Sequence, residues 1–291
     1  MPKRSWFRQQ SGNKGCGQYI PIPNALPFVS DRFVRFDPGF DISFTDALDF
    51  RLGETTFGPR PELRSLDVLR PALRDPNSAG PDPVYAIVMD IGKRIHRNEL
   101  QQRMLLFGAV SYAIGRLGEE VVRSQGHVHK VSSHSGWAAP EIYEIWTGAA
   151  FIYMQEFLAD YPARCYAVKA SPGDIVIVPP GWAHTSMSAN TTEHLAFGAL
   201  CDREYGFHYE EVRRRHGLAW YALIDERGEI RWEANPQYQK SDLVVCVPRD
   251  YRDFGILRGR PLYSQFEDDF NKFQWVSKPA LVAELWKNYH P

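Results

Sequence analysis

Gly126-His127-Val128-His129, followed by Pro140-Glu141-Ile142-Tyr143 and then by Pro179-Pro180-Gly181-Trp182-Ala183-His184, decides how this chain folds. Side chains two apart on a strand leave the same face, so His127 and His129 point together. Glu141 opens an apolar run, Ile142 to Trp146, where an acidic residue needs a reason. His184 follows the rigid Pro179-Pro180 turn. Three imidazoles and one carboxylate suit a divalent transition metal and leave coordination positions open for a substrate.

Working outward, segments 84–90, 105–114, 142–146, 150–155, 165–170, 175–178, 185–188 and 195–200 read as strands. Turn residues separate them, among them Thr147-Gly148 and Ser171-Pro172-Gly173-Asp174. Eight short strands at such spacing predict an all-β jelly-roll sandwich or barrel. Only that architecture brings His127, Glu141 and His184 together. Residues 62–74 place leucines at helix-like intervals, with Pro71 interrupting. A helix is expected over 209–216, stopped by Gly217 at a C′ position. Segments 220–224 and 229–232 read as a hairpin with Gly228 at the turn, 243–247 as a strand and 281–286 as a short helix. Residues 1–40, rich in Gly and Pro, read as an irregular N-terminal arm, and the aromatic-rich 239–291 as a C-terminal extension packed on the barrel or on a partner subunit.

The 291 residues carry 34 Lys and Arg against 35 Asp and Glu, a formal charge of −1. That balance offers no electrostatic footprint for nucleic acid or anionic membrane. No secretory signal and no spanning apolar run is read. The dispersed Cys16, Cys165, Cys201 and Cys246 read as reduced thiols, so the expectation is a cytoplasmic protein. His96, His134, His194, His216 and His290 have no setting like that of the three motif histidines and are read as solvated or structural.

The two motifs, GHVH with PEIYEIWTG and PGDIVIVPPGWAH, resemble the cupin superfamily. Within it the chain is similar to the archaeal-type phosphoglucose isomerases. The likeness extends through Asp82-Pro83-Val84-Tyr85, Tyr205-Gly206-Phe207-His208-Tyr209 and Asn235-Pro236-Gln237-Tyr238, about residues 40–238. It implies a cupin double-stranded β-helix, with an isomerase-like domain over 41–238 and a barrel core near 84–200. It also implies a homodimer and one divalent metal on His127, His129, Glu141 and His184: Fe(II) first, with Mn(II), Ni(II), Co(II) or Zn(II) as alternatives.

Carried over residue by residue, the resemblance places the sugar phosphate on Ser124, Gly126 and Tyr85, where a glycine lets an anion approach the main chain. Tyr143 and Tyr209 match hydroxyls lining the sugar site. The implied reaction interconverts glucose 6-phosphate and fructose 6-phosphate through a cis-enediol, with Glu141 as base and Tyr143, Tyr209 or His208 assisting, or by a hydride shift that leaves Glu141 only a ligand. A mannose 6-phosphate isomerase, an Fe(II) cupin dioxygenase and a non-catalytic sugar-phosphate binder fit the same ligands. Several positions depart from the family pattern. Eleven residues separate His129 from Glu141, more than the family places there, so 130–139 is an insertion expected to form a lid or reshape the pocket. Gly181 and Cys201 stand where the family has Tyr. Phe207 stands where it has His, and His208 can replace that His only if the turn shifts.

Overall fold

The computed structural model describes residues 31–32 and 35–291; most of the predicted N-terminal arm, and Cys16 with it, lies outside them. The chain is predominantly sheet with a few short helices. One antiparallel sheet runs in the order Ile175–Val178, Glu141–Thr147, Leu195–Asp202, Leu105–Tyr112 and Tyr85–Lys93. The second runs Ala183–Ser188, Ala150–Gln155, Cys165–Ala170, and then Leu243–Cys246 in parallel. Consecutive strands switch sheets at Gly148, between Glu141–Thr147 and Ala150–Gln155, and again at Pro179–Gly181, which gives the jelly-roll its two-layered core. Gly148 has φ +70, and a Cβ there would fall 2.5 Å from the His194 carbonyl oxygen, so this turn requires glycine.

The sheets pack face to face. Ile142, Val176 and Phe197 of the first share a core with Ile152, Met154 and Val168 of the second. Every residue of Leu105–Tyr112, Glu141–Thr147 and Leu195–Asp202 is buried. Strands in one layer of a sandwich usually alternate between inside and outside; here the outer face is covered too. Phe254, Leu262, Phe266, Phe273 and Trp275 from the C-terminal extension join the same apolar cluster. A lesser sheet, Ile230–Ala234, Trp220–Ile224, Glu120–Val121 and Arg116–Leu117, contains the expected hairpin.

Three expectations need correction. Residues 62–74 are not a continuous helix. Glu62–Arg64 is a strand paired with Tyr85–Ile87, and only Leu66–Leu69 is α-helical before a 3-10 turn at Arg70–Ala72. Here strand pairing overrides the leucine spacing. The helix Glu210–Arg214 ends earlier than expected: His216 takes the left-handed conformation at φ +55, and Gly217 follows it. The Gly217 N–H donates to the Val212 carbonyl and the His216 N–H to that of Arg213, the paired bonds of a Schellman motif. The final helix is divided into a 3-10 turn, Pro279–Val282, and an α-helix, Ala283–Lys287. Helix Leu262–Asp268 has no counterpart among the sequence expectations.

Candidate metal centre and adjoining cavity

His127 bridges His184 through reciprocal backbone hydrogen bonds of 3.0 and 2.9 Å. Val128–His129 pairs with Phe207–His208. Glu141 begins its strand opposite Val178. These pairings bring the donor atoms of His127, His129, Glu141 and His184 within 4.8 Å of one another. The His129 and His184 rings are oriented from behind, where Nδ1 lies 2.9 Å from the Ala139 carbonyl and 3.0 Å from that of Trp182. Donation from Nδ1 leaves Nε2 as the lone-pair nitrogen facing inward, the arrangement that ligating histidines use.

Burial tests whether a cation fits. The Nε2 atoms of His127 and His129 are buried with no hydrogen-bond partner, and unpaired buried nitrogens of this kind are costly unless something else satisfies them. Glu141 Oε2 lies 3.1 Å from His184 Nε2 and 3.4 Å from His129 Nε2. Burial opposes ionisation of Glu141, but the adjoining His129 and His184 imidazoles outweigh it and hold the carboxyl well below the usual range. Burial, reinforced by the neighbouring His184 and His129, keeps His127 neutral. An ionised carboxylate and inward-facing imidazole nitrogens are the donor set a divalent transition metal takes. The cluster is capable of holding one.

Beside it opens a cavity. Glu141 and His127 line it. Tyr85, Ser124, Gly126, Tyr143 and Tyr209 all line it too, between apolar walls that include Val110 and Phe197. Gly126 has φ +85, a backbone state that glycine adopts without strain. The Ser124 hydroxyl sits 2.8 Å from that of Thr185, and Tyr112 Oη lies 2.9 Å from Ser186 Oγ.

His208 is not brought to this site. Successive strand residues face opposite ways, and here Phe207 is the one turned inward, its ring 4.3 Å from that of His127, while the His208 side chain is 57% exposed. The turn does not shift. Cys201 is buried but does not line the cavity; burial, then the charge of Glu141, pushes its thiol up and keeps it protonated. Gly181 faces open space. The insertion lies beside the site: residues 131 and 138 form a bridge, His134 Nε2 is 2.8 Å from Asp202 Oδ2, and Ala139 supplies the carbonyl that orients His129. Sequence reading missed Arg64, Tyr112, Gln125 and Ser186, which also line the cavity. A strand assignment for 62–64 would have exposed the first.

The sequence profile of the glucose-6-phosphate isomerase (GPI) family matches residues 64–240, which hold every residue of this site. The chain belongs to that family. Among family members, the glucose-6-phosphate isomerase of Thermococcus gammatolerans is 28% identical over 54% of this chain and 74% of its own length. That of Pyrococcus furiosus is 26% identical over 43% and 60%. A Rhizobium meliloti relative is 28% identical over 49% of this chain and 62% of its own length, so the match spans about three fifths of several curated relatives. Solved structures that superpose include oxalate oxidase, at 14% identity, 43% and 55% coverage and a TM-score of 0.32, a likeness too distant to bear on function. No helix among the described residues is long and apolar enough to cross a membrane.

Proposed function

We propose that this GPI-family chain interconverts glucose 6-phosphate and fructose 6-phosphate. The observation that carries the reading is the junction of two features inside the matched segment. A four-donor cluster with two unsatisfied imidazole nitrogens presents His127 and Glu141 to a cavity, and hydroxyls and the Gly126 main chain line it between apolar walls. The first suits the oxygens flanking a reacting carbon, and the second suits a phosphorylated sugar.

The reaction moves a proton between adjacent carbons. A divalent transition metal held by His127, His129, Glu141 and His184, with Fe(II) our first choice, would supply Lewis-acid stabilisation of negative charge on the sugar oxygens. The chain's own residues do the rest. Glu141, ionised and facing the cavity, takes the proton from the carbon beside the carbonyl and returns it to the neighbouring carbon. Tyr143 donates a 2.7 Å hydrogen bond to Glu141 Oε2 and fixes the carboxylate's orientation. Tyr209 stands 6.0 Å from the His127 ring, where its hydroxyl can serve the sugar's own hydroxyls. Ser124, Gly126 and Tyr85 receive the phosphate. The apolar walls of Val110, Phe197 and Phe207 exclude water from the enediol.

The test is turnover of fructose 6-phosphate by chelator-stripped protein reloaded with single divalent metals, run in deuterium oxide. Metal-dependent turnover that is lost in His127→Ala, with deuterium entering the product at the exchanged carbon, is expected. Absence of turnover with every metal would overturn the isomerase. Turnover without deuterium uptake that also persists in a metal-loaded Glu141→Gln variant would remove Glu141 as base and leave a hydride shift.

A further inference from the structure

Strand Glu62–Arg64 pairs with Tyr85–Ile87 in a register that sets Arg64 directly opposite Tyr85, and Tyr85 in turn opposite Tyr112. Directly opposed residues in an antiparallel pair share a face, and all three of these side chains line the cavity. The row therefore runs Arg64, Tyr85, Tyr112 across three adjacent strands. Arg64 is the one Lys or Arg side chain among the described lining residues, and Glu141 is the one carboxylate.

The two charges have different immediate partners. Glu141 sits among the imidazoles. Arg64 lies where its charge acts on the hydroxyls of Tyr85, Tyr205 and Tyr209. A nearby cation, Arg213, is already committed: its Nε donates to Gln125 Oε1 at 3.0 Å and its guanidinium stacks on Tyr209 at 5.2 Å. The carboxylate paired with Arg64 is Glu62, at 2.8 Å and 67% exposed, a contact that a dianion can readily replace. A guanidinium offers five N–H donors in a planar fork, so one exposed carboxylate leaves donors for a further anion.

We propose that Arg64 recognises the anionic end of the substrate and so selects phosphorylated over neutral sugars, a proposal that rests on the phosphosugar reading of the site. The hydroxyls of Ser124 and Tyr85 and the Gly126 main chain can hydrogen-bond a phosphate, but none of them carries charge. They would accept a neutral hydroxyl almost as well. Arg64 supplies the discrimination, because a charge-assisted bidentate contact exists only when the ligand is anionic.

The experiment uses the full chain. Inorganic phosphate, fructose 6-phosphate and fructose are titrated calorimetrically into wild type, Arg64→Ala and Arg64→Lys, with circular dichroism confirming that each variant is folded. Arg64→Ala is expected to weaken phosphate and fructose 6-phosphate by about 10- to 100-fold while leaving fructose unchanged. KM should rise to the same extent with kcat within about 3-fold, the pattern of uniform binding lost. Arg64→Lys should fall between the two, since it keeps the charge and loses the fork. A folded Arg64→Ala with unchanged phosphate affinity and KM overturns the proposal and leaves the isomerase reading intact. Phosphate binding that depends on Arg64 in a wild type without turnover supports the proposal and removes the isomerase.

Discussion

Tyr143 Oη donates to Glu141 Oε2 at 2.7 Å, between residues two apart on one strand and therefore on one face. Burial, and then the Glu141 charge, pushes the phenol well above its usual value, so it stays a donor across the working pH range. In Tyr143→Phe the carboxylate keeps its imidazole partners and loses the bond that fixes its orientation. We expect kcat to fall about 10-fold, with metal stoichiometry unchanged. Steady-state kinetics alongside metal analysis check this. Full kcat in the variant would mean the hydroxyl does not steer the carboxylate.

Glu204 holds the insertion by one oxygen. Oε2 accepts from the Ser132 hydroxyl at 3.0 Å, the Ser133 N–H at 2.9 Å and the Ser133 hydroxyl at 2.8 Å. These contacts depress the Glu204 carboxyl, the Ser133 hydroxyl first among them. Removing them in Glu204→Ala leaves the loop its bridge at residues 131 and 138 and its His134–Asp202 contact. Proteolytic cleavage within 130–139 should accelerate about 10-fold, because cleavage follows local opening. Metal binding should persist, since the four donors lie outside the segment. An unchanged cleavage rate would show that the other tethers suffice.

The four-donor cluster was legible because its spacing and setting are local: imidazoles two apart, a carboxylate heading an apolar strand, a histidine after a Pro-Pro turn. Most of the core strands were legible for the same reason, each bounded by its own turn residues. Arg64 was not, because its place depends on a cross-strand register with Tyr85, 21 positions on, while the nearby leucines imitate a helix. His208 failed as a site residue for a related reason: only the pairing of Val128 with His208 and of His129 with Phe207 decides which of the two adjacent residues faces in. Helix Leu262–Asp268 has no side-chain cap of its own; the N–H of its first residue is satisfied by Glu144 Oε1, 118 positions earlier.

Gly198 shows how tightly the outer face of the first sheet is packed. A Cβ at this position would fall 2.3 Å from Trp146 Cζ2, and the indole cannot retreat without breaking its 3.0 Å hydrogen bond to Glu144. Gly198→Ala should cost about 1–3 kcal/mol through overpacking. Chemical denaturation would show a lower midpoint with an unchanged slope. A neutral result would mean that Trp146 has room to move.

Glu144 gives the fold a pH dependence whose sign can be worked out. It is buried, its carboxyl is pushed up to about 7 by desolvation, and hydrogen bonds from Trp146 and the Leu262 N–H only partly oppose that rise. In the unfolded chain a glutamate titrates near its ordinary value of about 4.3. As pH rises between those two values the unfolded chain releases a proton that the folded chain retains, so ionisation favours unfolding. The Glu144 contribution to stability is therefore fully present below about pH 4 and declines as pH rises to about 7, by on the order of 4 kcal/mol at most. Glu144→Gln cannot titrate. The measurement is the unfolding free energy of both proteins from about pH 5 to about pH 8, a window chosen to span the decline: the wild type, relative to the variant, should lose stability with rising pH, whatever the constant offset between them. A difference independent of pH would mean that Glu144 is accommodated as a carboxylate, with the Trp146 and Leu262 hydrogen bonds compensating its burial.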